Sequence, residues 1–318
     1  MSEQIRKDII KITEVGQLFD ILLSSCDFFH TKEEIESVAK EKRILLNGVI
    51  TTTSAPVTVA DELILLTPQS AEPEVNVKYA IVYEDEFMLA VNKPANLPVH
   101  PAGKYYFNTL VSLLRSDGKR VYPINRLDRE TSGIVLFATN PFHTRALQLA
   151  YEQEDCIKTY FAVVFGEMQN REGIIDEPLA QEQVGEIRDQ MVVSSEGKPS
   201  QTQYKEIETR NNLSLLQITL LTGRRHQIRA HFSHVGHPLV GDKQYGTDPE
   251  LFVKWHKDPK TAEDEIEDKL LSQRQLLHCA QVSFTHPQTG KKLLISANIG
   301  KDMLLFMNKQ GFTSFPLI

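Results

Sequence analysis

One aspartate stands out because of the charges on either side of it. Asp128 lies in residues 125–133, which read Asn-Arg-Leu-Asp-Arg-Glu-Thr-Ser-Gly, and the apolar run 134–138 follows directly. An opposite charge within a few ångströms favours the ionised form of a carboxyl group. An ionised aspartate on a turn that leads into a buried strand is a candidate nucleophile. A structural salt bridge that pins the turn is the alternative, because ion-pair networks also surround ordinary aspartates.

A second group of candidates is cationic. Arg224 and Arg225 are predicted to open a helix that runs to Val235. The apolar residues spaced for one buried face of this helix are Ile228, Phe232 and Val235. Cations at a helix N-terminus oppose the macrodipole, which makes sense if a phosphate or the Asp128 carboxylate lies there. Solvated arginines are the alternative.

Three histidines at a spacing of three, His231, His234 and His237, invite a metal interpretation. Gly236 is predicted to end the helix before His237. Imidazoles without an accompanying carboxylate ligand set are more often packing residues. The chain has no cysteine pair or His-Glu-x-x-His pattern, and Thr222-Gly223-Arg224 lacks the spacing of a phosphate loop. We therefore predict no metal site and no nucleotide hydrolysis.

Four segments, in order along the chain, resemble RNA pseudouridine synthases of the RluA type. Residues 125–133 resemble that family's catalytic motif, written His-Arg-Leu-Asp-x-x-Thr-Ser-Gly, with Asn125 in place of the histidine. The other segments are residues 91–101 for its opening motif, 158–166 for its tyrosine strand and 221–242 for its arginine segment. The resemblance covers roughly residues 78–300.

The resemblance implies a reaction and a set of site residues. Uracil would be cut from its ribose, turned and rejoined through carbon, with no cofactor. Asp128 would attack the sugar or take a proton from it, much as carboxylates act on sugar centres in glycosidases. Tyr160 would stack on the flipped uracil, and Arg229 would pair with Asp128. The substrate-binding candidates are Arg126, which would hold the backbone of the flipped nucleotide, and Lys158, Arg224, Arg225, His226 and Gln227.

The target RNA is less clearly indicated. The spelling of residues 96–109 and the Asn-Arg-Leu-Asp form resemble the branch known from eukaryotic tRNA-modifying members, which favours tRNA over rRNA. Two rivals remain from other classes. One is a non-catalytic RNA-binding protein on the same scaffold, and the other is a metal-dependent hydrolase that uses the histidine cluster.

Residues 1–67 are predicted to form a small separate module. A helix is predicted to begin over 15–23, and a second one at Thr31, with Glu34 completing a capping box. Residues 44–50 carry the Asn-Gly signal of a hairpin, and 57–66 supply the last turn and strand. The order resembles a small ribosomal-protein-like RNA-binding module, although its presumed RNA-facing helix is acidic.

Residues 68–77 are predicted to be a linker, and 78–318 to be the catalytic domain. Its predicted strands are 80–83, 87–92, 134–138, 159–165, 202–208, 213–220, 280–285 and 292–297. Asn140-Pro141 is typical of a helix start, with Leu147, Ala150 and Tyr151 on the apolar face. Because no regular strand–helix alternation is present, the pattern predicts an α+β fold with a mixed sheet. The resemblance implies the pseudouridine synthase fold, in which that sheet is bent around a central cleft.

The composition is that of a globular protein whose positive charge, which could bind RNA, is concentrated in one region. The chain has 318 residues and a formal net charge of −7, which is unusual for a nucleic-acid binder. Residues 222–246 nevertheless carry four Lys or Arg and four His against one acid, whereas 248–269 carry eight acids against four lysines. We expect the acidic stretch to face away from RNA.

Cysteine usage and the N-terminus bear on location. Cys26, Cys156 and Cys279 show no metal or redox spacing, which favours a reducing cytoplasm. No signal segment or bilayer-spanning run is evident. We therefore expect a cytoplasmic monomer whose partner is structured RNA, tRNA or rRNA, with no membrane partner.

Overall fold

The computed structural model describes residues 4–10, 12, 14–25, 32–69, 72–103, 105, 107–258 and 261–315. The chain divides into two compact units, an N-terminal unit of residues 1–73 and a C-terminal unit of residues 74–318. None of the helices in the described ranges is long and apolar enough to cross a membrane.

The N-terminal unit packs two helices against short strands. Its elements are β1 (Gln4–Ile10), β2 (Gly16–Gln17), α1 (Leu18–Ser25), α2 (Lys32–Lys40), β3 (Ile44–Leu46), β4 (Val49–Ile50), β5 (Pro56–Val57) and β6 (Leu63–Gln69). One sheet has the strand order β1-β6-β3-β4, and β2 pairs with β5. Ile35 and Val38 of α2 are buried in the core of this unit.

The predicted hairpin of the N-terminal unit is confirmed, and the predicted linker is partly wrong. Asn47 and Gly48 have φ values of 51° and 79°, so both central residues adopt the left-handed conformation that a two-residue hairpin favours. Residues 68 and 69 continue β6 and pair with β1. The predicted cap Thr31 and the thiol of Cys26 lie outside the described residues.

The C-terminal unit is an α+β structure, as predicted. Its elements are β7 (Ala80–Glu84), β8 (Met88–Lys93), α3 (Leu110–Ser116), β9 (Tyr122–Pro123), β10 (Ser132–Ala138), α4 (Pro141–Glu152), β11 (Ile157–Phe165), β12 (Glu172–Asp176), β13 (Leu179–Val184), β14 (Ile187–Val193), β15 (Gln201–Arg210), β16 (Leu213–Leu220), α5 (Gln227–His234), α6 (Pro249–Lys257), α7 (Glu263–Leu270), β17 (Leu277–Thr285), β18 (Lys292–Ser296) and α8 (Lys301–Lys309). The main sheet follows the order β12-β15-β16-β11-β17-β10-β8-β7, with β18 beside β17 and β9 beside β10. It is mixed, because β10 runs parallel to β17 and antiparallel to β8.

Strand β10 lies inside this sheet, and every one of its residues is buried. It needs a glycine near its beginning. Gly133 has a φ of 115°, and a Cβ atom there would lie 2.2 Å from the carbonyl oxygen of Cys279 on β17. The close pairing of the two strands therefore fixes the backbone five residues after Asp128 and holds the preceding turn at the sheet end.

Two helices test the predicted boundaries. Helix α4 begins as predicted, with the Asn140 side chain accepting a hydrogen bond from the Phe142 amide at 3.0 Å. The predicted start of α5 is wrong: the helix begins at Gln227, and the two arginines precede it in a turn. Val235 is the C-cap and is 40% exposed, so it is not on the buried face.

Candidate active site

The turn that carries Asp128 is supported from below by a buried lysine. The amide of Thr131 donates a hydrogen bond to the carbonyl of Asp128 at 3.1 Å, which closes the turn before β10. Lys93 at the end of β8 is fully buried, and its ammonium donates to the carbonyls of Leu97 at 2.8 Å and Arg129 at 3.1 Å. Burial lowers the pKa of Lys93 well below its usual range. The lysine thus ties the opening motif to the turn beside Asp128.

An arginine between two carboxylates sets the charge of Asp128. Arg229 of α5 donates from Nη1 to Asp128 at 2.7 Å, and from Nε and Nη2 to Asp242 at 2.6 and 2.9 Å. Asp242 is fully buried, whereas the Asp128 side chain is 23% exposed. Burial alone would raise the pKa of Asp128, but the Arg229 charge outweighs it and lowers the pKa to about 2. Asp128 is therefore an ionised carboxylate with one face open.

Two more side chains contact this carboxylate. His226 lies 3.5 Å from Asp128 Oδ1 through Nε2, and its Nδ1 lies 3.1 Å from the Tyr245 hydroxyl. Gln275 is buried and donates to Thr131 Oγ1 at 2.6 Å, with Asp128 Oδ2 at 3.5 Å from the same nitrogen. His226 immediately precedes α5 and has a φ of 52°, the left-handed conformation. Gln275 is a contact of Asp128 that the sequence did not indicate.

Asp128 faces a cavity of about 290 Å³. One of its walls is an ion-pair network in which Glu130 binds Lys243 at 2.9 Å and Arg129 at 2.8 Å. Arg129 also donates to the Tyr105 hydroxyl. These three charged residues also line a larger cavity of about 1010 Å³. The smaller cavity contains the ionised carboxylate and is at the lower limit of the volumes typical of ligand sites.

The predicted binding residues divide into two groups. Arg126 is exposed and lines the cavity together with His226. Arg224 and Arg225 are exposed but do not line it. Gln227 is buried and donates to Gln201 O at 2.9 Å and Thr202 Oγ1 at 3.0 Å. Those contacts hold the turn before α5 against β15.

Tyr160 and Lys158 lie on β11 and do not line the cavity. Tyr160 is 6% exposed and belongs to the main apolar core. It pairs with Cys279, the same β17 residue that pairs with Gly133, so it lies two strands from β10. The pairing register of β11 with β17 shifts between Thr159 and Tyr160, so the regular ladder is interrupted beside Tyr160. Burial raises the pKa of Tyr160, and Asp128 is close enough to contribute to that rise. The Lys158 ammonium lies 4.5 Å from the centre of the Tyr151 ring.

The acidic stretch does not lie wholly away from the site. Phe252 and Trp255 of α6 line the same cavity as Asp128. Helix α6 begins with Asp248 as N-cap, whose side chain accepts from the Leu251 amide at 2.8 Å. The acidic composition predicted a solvated loop and helix facing away from RNA, so the cavity position of these two aromatic residues was not expected.

Two of the three clustered histidines, His231 and His237, take part in packing as predicted, whereas His234 is exposed. His231 is fully buried and uses both ring nitrogens, toward Thr202 Oγ1 at 2.8 Å and Glu177 O at 2.9 Å. His237 contacts the Phe165 carbonyl at 2.9 Å through Nδ1. Within the described residues, no three His, Cys, Asp or Glu side chains are arranged to hold a metal ion.

The protonation of His226 gives a pH-dependent stability. Burial and then the Arg229 charge lower its pKa from 6.5 to about 4 in the folded protein. Because the unfolded chain binds the proton more readily, this contribution to stability is complete above about pH 6.5 and is lost as the pH falls towards 4. We expect wild type to lose thermal stability relative to His226→Gln across that interval, as measured by melting temperature. A constant difference between the two proteins from pH 7 to 4 would refute the lowered pKa.

Comparisons with known proteins agree on one family. The family described as RNA pseudouridylate synthase matches residues 87–234. The ribosomal large subunit pseudouridine synthase D of Zymomonas mobilis is 36% identical over 249 residues, which cover 75% of this chain and 74% of that protein. The synthase D of Yersinia pestis is 32% identical over 309 residues, or 93% of this chain and 91% of that one.

A solved structure shares the fold. Human RNA pseudouridylate synthase domain containing 1 aligns with a TM-score of 0.55 and 22% identity, covering 77% of this chain and 99% of that chain. Human RNA pseudouridylate synthase domain containing 4 aligns with a TM-score of 0.57 and 19% identity, covering 74% and 95%.

Proposed function

This chain belongs to the RNA pseudouridine synthase family, and from that premise we propose that Asp128 acts on the ribose of the target uridine. The chain is an isomerase, which exchanges the N–C glycosidic bond of uridine for a C–C bond and needs no net oxidant or reductant. The observation that carries the assignment is the ionised, partly open carboxylate of Asp128, which Arg229 holds at 2.7 Å at the wall of a cavity.

The geometry favours a carboxylate that reacts without first losing a proton. A pKa of about 2 keeps Asp128 charged at neutral pH. Arg229 holds one oxygen, Oδ2, and His226 lies near the other at 3.5 Å. Because His226 has a pKa of about 4, it is neutral at pH 7 and does not quench the negative charge. The carboxylate would attack C1′ of the ribose or take a proton from the sugar, and its geometry is compatible with both.

The other proposed roles follow from position. Arg126 is exposed at the cavity, where it would bind a phosphate of the target nucleotide. Arg224 and Arg225 lie outside it, where they would bind phosphates farther along the RNA. Tyr160 would contact the uracil after a local shift, since it is buried in the free protein. Gln227 and Lys158 would act indirectly, by holding the backbone and packing.

We propose that the substrate is large-subunit ribosomal RNA. The relatives from Zymomonas mobilis and Yersinia pestis are named for the large ribosomal subunit, and the second of them aligns over 93% of this chain. The tRNA preference indicated by residues 96–109 is the second candidate. For the N-terminal unit we retain the role of a small RNA-binding-like module, with most of the RNA affinity in residues 222–246.

Transcriptome-wide mapping of pseudouridine separates these substrates. Cells that lack the protein are compared with cells that carry wild type or Asp128→Asn on a plasmid. We expect one or a few sites in large-subunit rRNA to lose pseudouridine and to regain it only with wild type. Loss confined to tRNA would replace our substrate with the second candidate. An unchanged map in both RNA classes would contradict the proposed function.

A further inference from the structure

Helix α6 places an aromatic ring at the active-site cavity, outside the apolar clusters of the described residues. Phe252 is half-buried and lines the cavity together with Asp128 and Arg126. Its ring lies 5.7 Å from the His256 ring at an interplanar angle of 25°, and 6.0 Å from the Trp255 ring. We propose that Phe252 stacks on a nucleobase next to the target uridine, so that α6 holds the neighbouring nucleotide of the substrate in place. This rests on the proposed function.

The fold does not require this ring. Leu251 is buried and anchors α6 in a small apolar cluster with residues of α7, and Trp255 packs against that cluster. Phe252 belongs to none of the apolar clusters formed by the described residues. A partly exposed phenylalanine whose ring neighbours, Trp255 and His256, are themselves not buried gains less from its position in the free protein than a core residue does. The same ring would gain by covering an unpaired base, because stacking buries the faces of both.

The charge around the cavity suits a nucleotide strand. Arg126 is exposed there, and none of the described ion pairs involves it. The Lys243 ammonium lies 5.0 Å from the centre of the Trp255 ring, but it is buried and paired with Glu130. Arg126, rather than Lys243, is therefore the cation available to a phosphate beside these rings. Cationic side chains beside aromatic rings are the usual surface for single-stranded nucleic acid, where the cations follow the phosphates and the rings hold bases.

The size of the cavity indicates that the Phe252 ring meets the base next to the target uridine and not the target base itself. About 290 Å³ accommodates one nucleoside, and its ribose must meet Asp128. Phe252 belongs to a different element from Asp128 and Arg229 and borders the same space. When the target nucleotide fills the cavity, the RNA strand on either side of it must pass along the residues that line the cavity. The adjacent base is then the one within reach of the α6 ring.

The test combines protein variants with altered RNA. Wild type, Phe252→Ala, Phe252→Leu and Phe252→Trp are measured on an RNA hairpin that contains the mapped uridine, and on copies with an abasic residue on its 5′ or 3′ side. Phe142→Ala is the matched control, since Phe142 is an 89% exposed phenylalanine on α4. Melting temperature verifies that each variant is folded.

We expect Phe252→Ala to raise KM about tenfold with little change in kcat, as loss of one stacked base predicts. Phe252→Trp should have the KM of wild type, because tryptophan can also stack. Phe252→Leu should have the raised KM of Phe252→Ala. The control Phe142→Ala should have the KM of wild type. On one of the two abasic RNAs, the KM of wild type should rise by the same factor, whereas the KM of Phe252→Ala should not rise further. If Phe252→Ala and the abasic residue each raised KM by their own factor, and the two factors multiplied on both abasic RNAs, the proposal would be overturned. A normal KM for Phe252→Leu would also overturn it. Absence of pseudouridine formation by wild type would refute the proposed function instead.

Discussion

Asp128→Asn is expected to abolish pseudouridine formation, with turnover lower by several orders of magnitude, because enzymatic rate enhancements are of that size. The amide keeps the shape of the side chain but cannot supply the negative charge that Arg229 holds in place at 2.7 Å. RNA affinity should survive or increase, since the change removes a negative charge from a cavity that would face phosphates. Single-turnover assays and binding titrations on the same RNA measure the two effects separately.

The control for this variant is Asp155→Asn. Asp155 also accepts from a cation, Lys292 at 2.8 Å, but in an exposed ion pair far from the cavity. Exposed pairs contribute little, so this variant should turn over like wild type. Turnover by Asp128→Asn within a few fold of wild type would exclude Asp128 as the reacting group.

Asp242→Asn is expected to cause the largest loss of stability. Asp242 is fully buried, and its two oxygens accept from Arg229 at 2.6 and 2.9 Å. One of them also accepts from the amides of Gln244 and Tyr245, each at 3.1 Å. Removal of one partner from a buried ion pair typically costs about 3–5 kcal/mol. We therefore expect a clear fall in the free energy of unfolding, measured by denaturant titration, and reduced turnover even where the variant is folded.

Asp302→Asn provides the comparison for that loss. Asp302 accepts from the Arg274 Nε at 2.6 Å, so the pair has a similar geometry, but its side chain is 53% exposed. Water compensates for much of the change there, and the destabilisation should be clearly smaller. Equal destabilisation by the two substitutions would mean that burial of Asp242 is not what makes its pair with Arg229 important.

Local signals in the sequence were sufficient for many elements. The Asn140-Pro141 cap and the Asn47-Gly48 turn are decided by residues next to one another, and both were found in the structure. Strands β12, β13 and β14 were missed because polar residues interrupt their apolar ones and no regular alternation results. The start of α5 was misplaced because the sequence gives no sign that His226 adopts a left-handed conformation.

Residues of the candidate site could be predicted only where they lie in a recognisable sequence motif. Asp128 was identified from its neighbours, and the family resemblance suggested its pairing with Arg229, which lies 101 residues away. Gln275, 147 residues from Asp128, and the ion pair of Lys243 with Glu130 had no such signal. Phe252 was not identified as a site residue because it lies in an acidic stretch of the sequence. Contacts of this kind depend on strand order and helix placement, which the pattern of a single chain does not specify.

The left-handed backbone of His226 has a consequence for anyone who would improve this enzyme. A residue with a Cβ atom in that conformation carries a penalty of about 1–2 kcal/mol, which glycine avoids. His226→Gly would relax the backbone and also delete the imidazole beside Asp128. Laboratory evolution for heat tolerance alone should therefore favour glycine at this position. In the substrate-binding role predicted for His226, such variants would be more stable but slower, so a screen for stable variants needs a turnover assay in every round.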